Sequence, residues 1–124
     1  MIIRINDESE TPIYMQIHDQ VIMGISNGSL ESGAKLPTVR ALATEIGVNT
    51  MTVSKAYQLL KNEGYIVSDR RSGARVKKDF SFEKELSQEN KEALKKIASE
   101  ARVKGMTRQE FIKECQKAYG GEEL

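Results

Sequence analysis

Apolar residues recur at helical intervals along most of the chain. Ile13, Ile17, Val21 and Ile25 follow one another every four residues, with Met15 and Ile22 beside them, which predicts an amphipathic helix. Thr11-Pro12 reads as its N-cap and first helical residue, and Asn27-Gly28 as its stop. Residues 1–10 read as a short extended arm. A second, shorter stripe of Val39, Leu42, Ala43 and Ile46 has Thr38 before it as a cap and Gly47 after it as a stop. A third, Val53, Ala56, Tyr57 and Leu60, belongs to a helix capped by Asn49, running to about Glu63 and stopped by Gly64. A short turn containing Gly47 joins the second and third helices, which is the helix-turn-helix pattern.

Beyond Gly64 the period changes. Residues 65–68 and 74–77 are strand-like, and the polar run Asp69-Arg70-Arg71-Ser72-Gly73 between them predicts a hairpin turn, placed where a wing would be. Residues 81–105 then read as a long charged helix with Phe82, Leu86, Ala93, Leu94, Ile97, Ala98 and Ala101 on one stripe, ended by Gly105. Thr107-Arg108-Gln109-Glu110 has the form of a capping box. It opens a last helix bearing Phe111, Ile112, Cys115, Ala118 and Tyr119, ended by Gly120-Gly121. The expected fold is mostly α with a small β-hairpin: a winged helix-turn-helix over 1–78 and a two-helix tail over 79–124.

Length and composition narrow the function. A chain of 124 residues holds one domain with a short appendage, not a second large domain. With 30% charged and 39% hydrophobic residues, it has the balance of a soluble globular protein rather than a disordered one. The net charge of +1 conceals an asymmetry. Residues 35–78 hold nine basic side chains against three acidic ones, an excess of six positive charges, so the rest carries an excess of five negative. A basic island in an acidic chain suggests a local contact with a polyanion, although an unevenly charged solvated surface has the same signature. The single cysteine, Cys115, excludes an internal disulfide and any multi-cysteine zinc site, and fits a reducing cytoplasm. The N-terminus has neither the form of a signal peptide nor that of a membrane span.

Residues 33–76 carry a closer likeness. Gly33-Ala34-Lys35-Leu36-Pro37-Thr38-Val39-Arg40, Leu42-Ala43, Ile46-Gly47-Val48-Asn49, Met51-Thr52-Val53, Ala56-Tyr57, Leu60 and Glu63-Gly64-Tyr65-Ile66 occur in order. In this the chain resembles the DNA-binding domain of the GntR family of bacterial regulators. Thr11-Pro12-Ile13-Tyr14 and Gln16-Ile17 also look like the start of such domains. The short tail resembles that of the YtrA subfamily, whose small C-terminal helices serve dimerisation. One stretch departs: the family's wing ends Gly-x-Gly-Thr-aromatic-Val, where this chain has Arg71-Ser72-Gly73-Ala74-Arg75-Val76. The resemblance implies a DNA-binding transcription regulator, a repressor acting as a homodimer on a palindromic operator, and no enzyme, cofactor or membrane partner. It names no small-molecule effector.

The candidate DNA-binding residues follow. The major groove of B-DNA admits one α-helix, so the third helix should offer hydrogen-bonding groups of little bulk at its N-terminal end. Asn49, Thr50, Met51, Thr52 and Lys55 stand there. Asn49 can cap the helix or read an adenine edge; Met51 can face the groove or turn into the core; Lys55 can reach phosphate. The resemblance assigns a DNA contact to Arg40. A cation at a helix N-terminus opposes the dipole, so stability alone would not select it. Arg70, Arg71, Ser72 and Gly73 complete the set at the wing, suited to the minor groove or its phosphates, with Arg75 as a further cation.

The remaining reactive groups have plainer readings. His18 is expected as a packed or surface histidine, and Cys115 as a small buried hydrophobe. Phe82, Phe111 and Tyr119 suit a core or dimer interface. No metal triad, phosphate-cradling loop or nucleophile–base pair is visible. The competing function is a protein-interaction module in which the winged helix never meets DNA; near-neutral overall charge is its support, and the basic island counts against it.

Overall fold

Each of the three N-terminal stripes folds as a helix, and side-chain caps and left-handed glycines bound the second and third. The computed structural model describes residues 2–69 and 73–120. Its elements are α1 (Ile13–Ser26), α2 (Val39–Ile46), α3 (Thr50–Glu63), β1 (Ile66–Asp69), β2 (Gly73–Val76), α4 (Gln88–Val103) and α5 (Arg108–Tyr119). They divide into two compact units, Met1–Ser81 and Phe82–Leu124.

In the first unit α3 packs against both α1 and α2. Ile17 and Val21 of α1, Leu42 and Ala43 of α2, and Val53, Ala56, Tyr57 and Leu60 of α3 are buried together with Leu30, Leu36, Ile66, Ala74 and Val76. Burying a side chain such as Leu42 or Leu60 contributes about 1.5–3 kcal/mol. The caps direct the chain into this arrangement. The Thr38 hydroxyl accepts from the Ala41 amide at 3.0 Å, and the Asn49 carboxamide oxygen from the Met51 amide at 2.7 Å. Gly47 closes α2 in the left-handed region, at φ 70° and ψ 37°, where a residue with a side chain is strained. That reversal lets α3 depart after a turn of only three residues, 47–49.

The N-terminal arm is tied down in extended form. The Arg4 amide donates to the Gln20 side chain and the Asn6 amide to that of Gln16, while Ile3 is buried. One expected cap is corrected. Pro12, not Thr11, occupies the N-cap of α1, which has no side-chain cap bond; the Pro12 carbonyl accepts from Met15 and Gln16. Lacking an N–H of its own, proline costs nothing at a helix start.

The hairpin is shifted one residue from the expected ranges. β1 and β2 pair antiparallel, with Ile66 opposite Val76 and Asp69 opposite Gly73, so both ends of the expected turn extend the strands. Period-2 alternation places Ile66, Ala74 and Val76 inward and leaves Val67 half exposed. The connector before α2 joins this sheet. Leu36 N–H donates to the Ala74 carbonyl, and Val76 N–H to the Ala34 carbonyl. The Tyr57 hydroxyl, buried under α2, donates to the Pro37 carbonyl at 2.7 Å. Burial, helped by the Glu45 charge, raises its pKa, so it stays a donor.

The second unit is two helices. Residues 81–87 are not helical, which corrects the longer helix expected from Phe82 and Leu86. The Ser87 hydroxyl accepts from the Asn90 amide and starts α4 there. Those two apolar residues continue the stripe's spacing but lie upstream of the cap. The capping box forms as expected: Glu110 N–H donates to the Thr107 hydroxyl, and Thr107 N–H to the Glu110 carboxylate. Within this unit only Ala101 is buried among the described residues. Cys115, expected inside, is exposed in the single chain.

His18 joins α1 to the end of α3. It is 6% exposed, and its Nδ1 lies 2.8 Å from the Asp19 carboxylate and its Nε2 2.5 Å from that of Glu63. Only the imidazolium can donate from both nitrogens. Burial alone would lower its pKa; the hydrogen bonds to Glu63 and Asp19, with their charges, outweigh burial and raise it. A pKa raised on folding makes the clamp's contribution complete below 6.5 and lost as pH climbs through the folded value. Thermal unfolding of the chain should therefore move to lower temperature as pH rises from 6.5 into the alkaline range, and His18→Gln should flatten that slope. A melting temperature equally flat in both proteins would remove the clamp. The α3 cap is checked separately: Asn49→Ala should cost about 1 kcal/mol in denaturant unfolding, and Asn49→Ser only a small part of it.

Candidate nucleic-acid interface

The face of α3 opposite the core determines what the first unit presents. Val53, Ala56, Tyr57 and Leu60 point inward, so Met51, Lys55, Gln58 and Asn62, spaced by four, three and four residues, form one exposed line along the helix. Thr50 and Ser54 are also exposed, and Thr52 lies at the flank, half-buried.

The two alternatives left by sequence are resolved at Asn49 and Met51. The Asn49 side-chain oxygen is the cap acceptor for α3, which leaves its amide N–H groups for other partners. Met51 does not reach the core: it is 78% exposed, on the first turn of the helix. Gln58, whose amide donates to the Asn62 side-chain oxygen at 3.0 Å, and Ser54 were missed. Their signal was present in the sequence, since both continue outward from Met51 at helical spacing.

The cations are held in different ways. Arg40 is exposed on the first turn of α2. Lys55 reaches back to α1, its Nζ 4.1 Å from the centroid of the Tyr14 ring. Arg75 is half-buried and donates from Nη1 to the Gly33 carbonyl at 3.1 Å, so part of its donor capacity serves the sheet. Gly73 lies beside the start of α2: a Cβ built on it would meet the Thr38 methyl at 3.7 Å, and its φ of 81° favours glycine. The wing base and the α2 N-terminus are thus neighbours. Arg70, Arg71 and Ser72 lie outside the described residues.

The arrangement offers hydrogen-bonding, apolar and cationic groups on one protruding helix. Among the described residues no group of three histidine, cysteine or carboxylate side chains could hold a metal ion, and no helix is long and apolar enough to cross a membrane.

Comparison with known proteins agrees with this geometry. Residues 13–76 match the family described as bacterial regulatory proteins, gntR family. The chain is 46% identical over 74 residues to the HTH-type transcriptional repressor YtrA of Bacillus subtilis, covering 60% of this chain and 57% of that protein. It thus spans little more than half of that relative's length, and as little as 15% of larger ones. Among solved structures it is similar to YtrA from Sulfolobus acidocaldarius, a GntR-family transcription factor, with a TM-score of 0.58, 40% identity, and coverage of 94% of this chain and 95% of that one. The DNA-binding domain of AraR, solved in complex with operator ORX1, matches with a TM-score of 0.52 and 28% identity over 59% of this chain and 90% of that one. With a helix-turn-helix, a hairpin wing and an outward face of this chemistry, the chain belongs to the GntR family of DNA-binding transcription regulators, in the company of YtrA.

Proposed function

We propose that the chain is a repressor that acts as a homodimer on an inverted-repeat operator, with α3 in the major groove. The observation that carries this reading is the exposed line on α3, which faces away from a core that α3 itself completes. An operator complex of the similar AraR domain and the repressor activity named for YtrA support it. In this reading Lys55 and Arg40 neutralise phosphates, with Thr52 at the flank of the helix supporting them, while Asn49, Thr50 and Met51 meet base edges. Met51 suits the C5-methyl group of thymine, an apolar contact available only in the major groove. Gly73 brings the wing close to the backbone, and Arg70, Arg71 and Ser72 extend the same contact by sequence position.

Dimerisation is assigned to residues 79–124. In the second unit Leu94 is 46%, Ile97 57% and Ile112 47% exposed, so the two apolar stripes stay largely uncovered within the chain. A second copy covering them would give a two-fold assembly, whose two α3 helices match two symmetric half-sites. The full chain should sediment as a dimer at micromolar concentration. A fragment ending at residue 81 should be monomeric and bind the operator far more weakly. Footprinting should protect two inverted half-sites about one helical turn apart. A monomeric full chain, or one asymmetric footprint from one protomer, would overturn the reading.

The division of labour on α3 has its own check. Lys55→Ala should weaken binding to every sequence alike and reduce the salt slope by about one per lost phosphate contact. Thr50→Ala should instead lose discrimination between the operator and single-base variants, by roughly 1–3 kcal/mol per half-site. Equal losses on all sequences would move base reading to Met51 or the wing. Binding with no salt dependence would favour the protein-interaction module in place of DNA.

A further inference from the structure

Tyr14 opens α1 and Lys55 lies in the middle of α3, yet the Lys55 Nζ lies 4.1 Å from the Tyr14 ring centroid. We propose that Tyr14 is a positioning residue for DNA binding: its ring holds the Lys55 ammonium in place across α1 and α3 while leaving its charge available to a phosphate. This rests on the reading that Lys55 contacts phosphate.

The physical argument turns on what else could hold a lysine. A free lysine side chain has several rotamers to lose, and fixing it on contact with DNA costs roughly 2 kcal/mol. A carboxylate partner would pre-order it, but would also neutralise it and repel the incoming phosphate. An aromatic face avoids that conflict. The ring quadrupole attracts the cation without cancelling its charge, and it occupies one side of the ammonium, so N–H donors remain on the other. Among the described residues Lys55 has no ion pair or hydrogen bond to compete. Tyr14 is itself half-buried and packed against the core, so the platform is anchored on α1. Two exposed lysines elsewhere are paired with carboxylates, Lys91 with Glu85 and Lys104 with Glu100. Lys55, on the exposed line of α3, has an aromatic partner instead.

The test is a double-mutant cycle on the full chain, with operator affinity measured across a salt series. Tyr14→Leu should weaken binding about three- to fivefold per half-site, the effect of an exposed cation–π contact. It should leave the salt slope unchanged, because the same phosphate is still neutralised. Tyr14→Phe should bind almost as the parent does, since the ring remains. In a Lys55→Ala background Tyr14→Leu should add nothing. In the free protein the Lys55 Hε protons should show an upfield ring-current shift that is lost in Tyr14→Leu and kept in Tyr14→Phe. Far-ultraviolet circular dichroism and thermal melting confirm that each variant is folded. An additive double mutant overturns the proposal. So does a loss in Tyr14→Phe as large as that in Tyr14→Leu, which would make the hydroxyl, not the ring, the acting group. If Lys55→Ala alone leaves affinity and salt slope untouched, the phosphate reading fails and the proposal falls with it. That outcome is distinct from additivity, which removes the proposal alone.

Discussion

Burial of the inward stripe of α3 is the constraint on which the first unit depends. Val53, Ala56, Tyr57 and Leu60 fill the space between α1, α2 and the hairpin, and by filling it they orient everything on the opposite face. The helix cannot rotate by even one residue without exposing Leu60 or burying Lys55. Tyr57 adds a directional element to a non-directional force: its hydroxyl joins the connector at Pro37, and the connector pairs through Leu36 and Ala34 with β2. The α3 helix, the connector before α2 and the base of the hairpin are thereby held in one hydrogen-bonded frame. That is the pre-organisation a groove-binding surface requires.

The second unit has a different logic. Its helix starts are well specified, by Ser87 at one and a full capping box at the other, while Leu94, Ile97 and Ile112 remain about half exposed. Strong local signals with a missing hydrophobic partner are expected of a segment completed by association.

What the sequence made legible was what local chemistry decides. Thr38, Asn49, Gly47 and Gly64 mark the ends of α2 and α3 because caps and left-handed glycines act within a few residues, and the hairpin was displaced by only one position. Errors arose where two local signals competed or a distant one decided. Phe82 and Leu86 extend the α4 stripe by spacing, but the Ser87 cap interrupts it. Met51 stands on the first turn, where spacing alone leaves either face open, and only packing shows it exposed. The Tyr14–Lys55 contact and the His18–Glu63 bond join residues far apart in sequence, which no periodicity predicts. Cys115 was expected inside because it shares a stripe with Phe111, and a stripe reports which side is apolar without telling what covers it.

The core residues named above all lie in the first unit, and this has a consequence for evolution and dose. A unit with its own core suits joining to different neighbours, and the matched stretch is only 15% of one larger relative. In the proposed reading, base choice and self-association then vary on separate residues. For a regulator that assembles through its tail, a substitution at Leu94 or Ile97 would leave the recognised sequence alone and change the steepness with which promoter occupancy follows the cellular concentration of the protein. The gain of a genetic response could thus be tuned without touching its address.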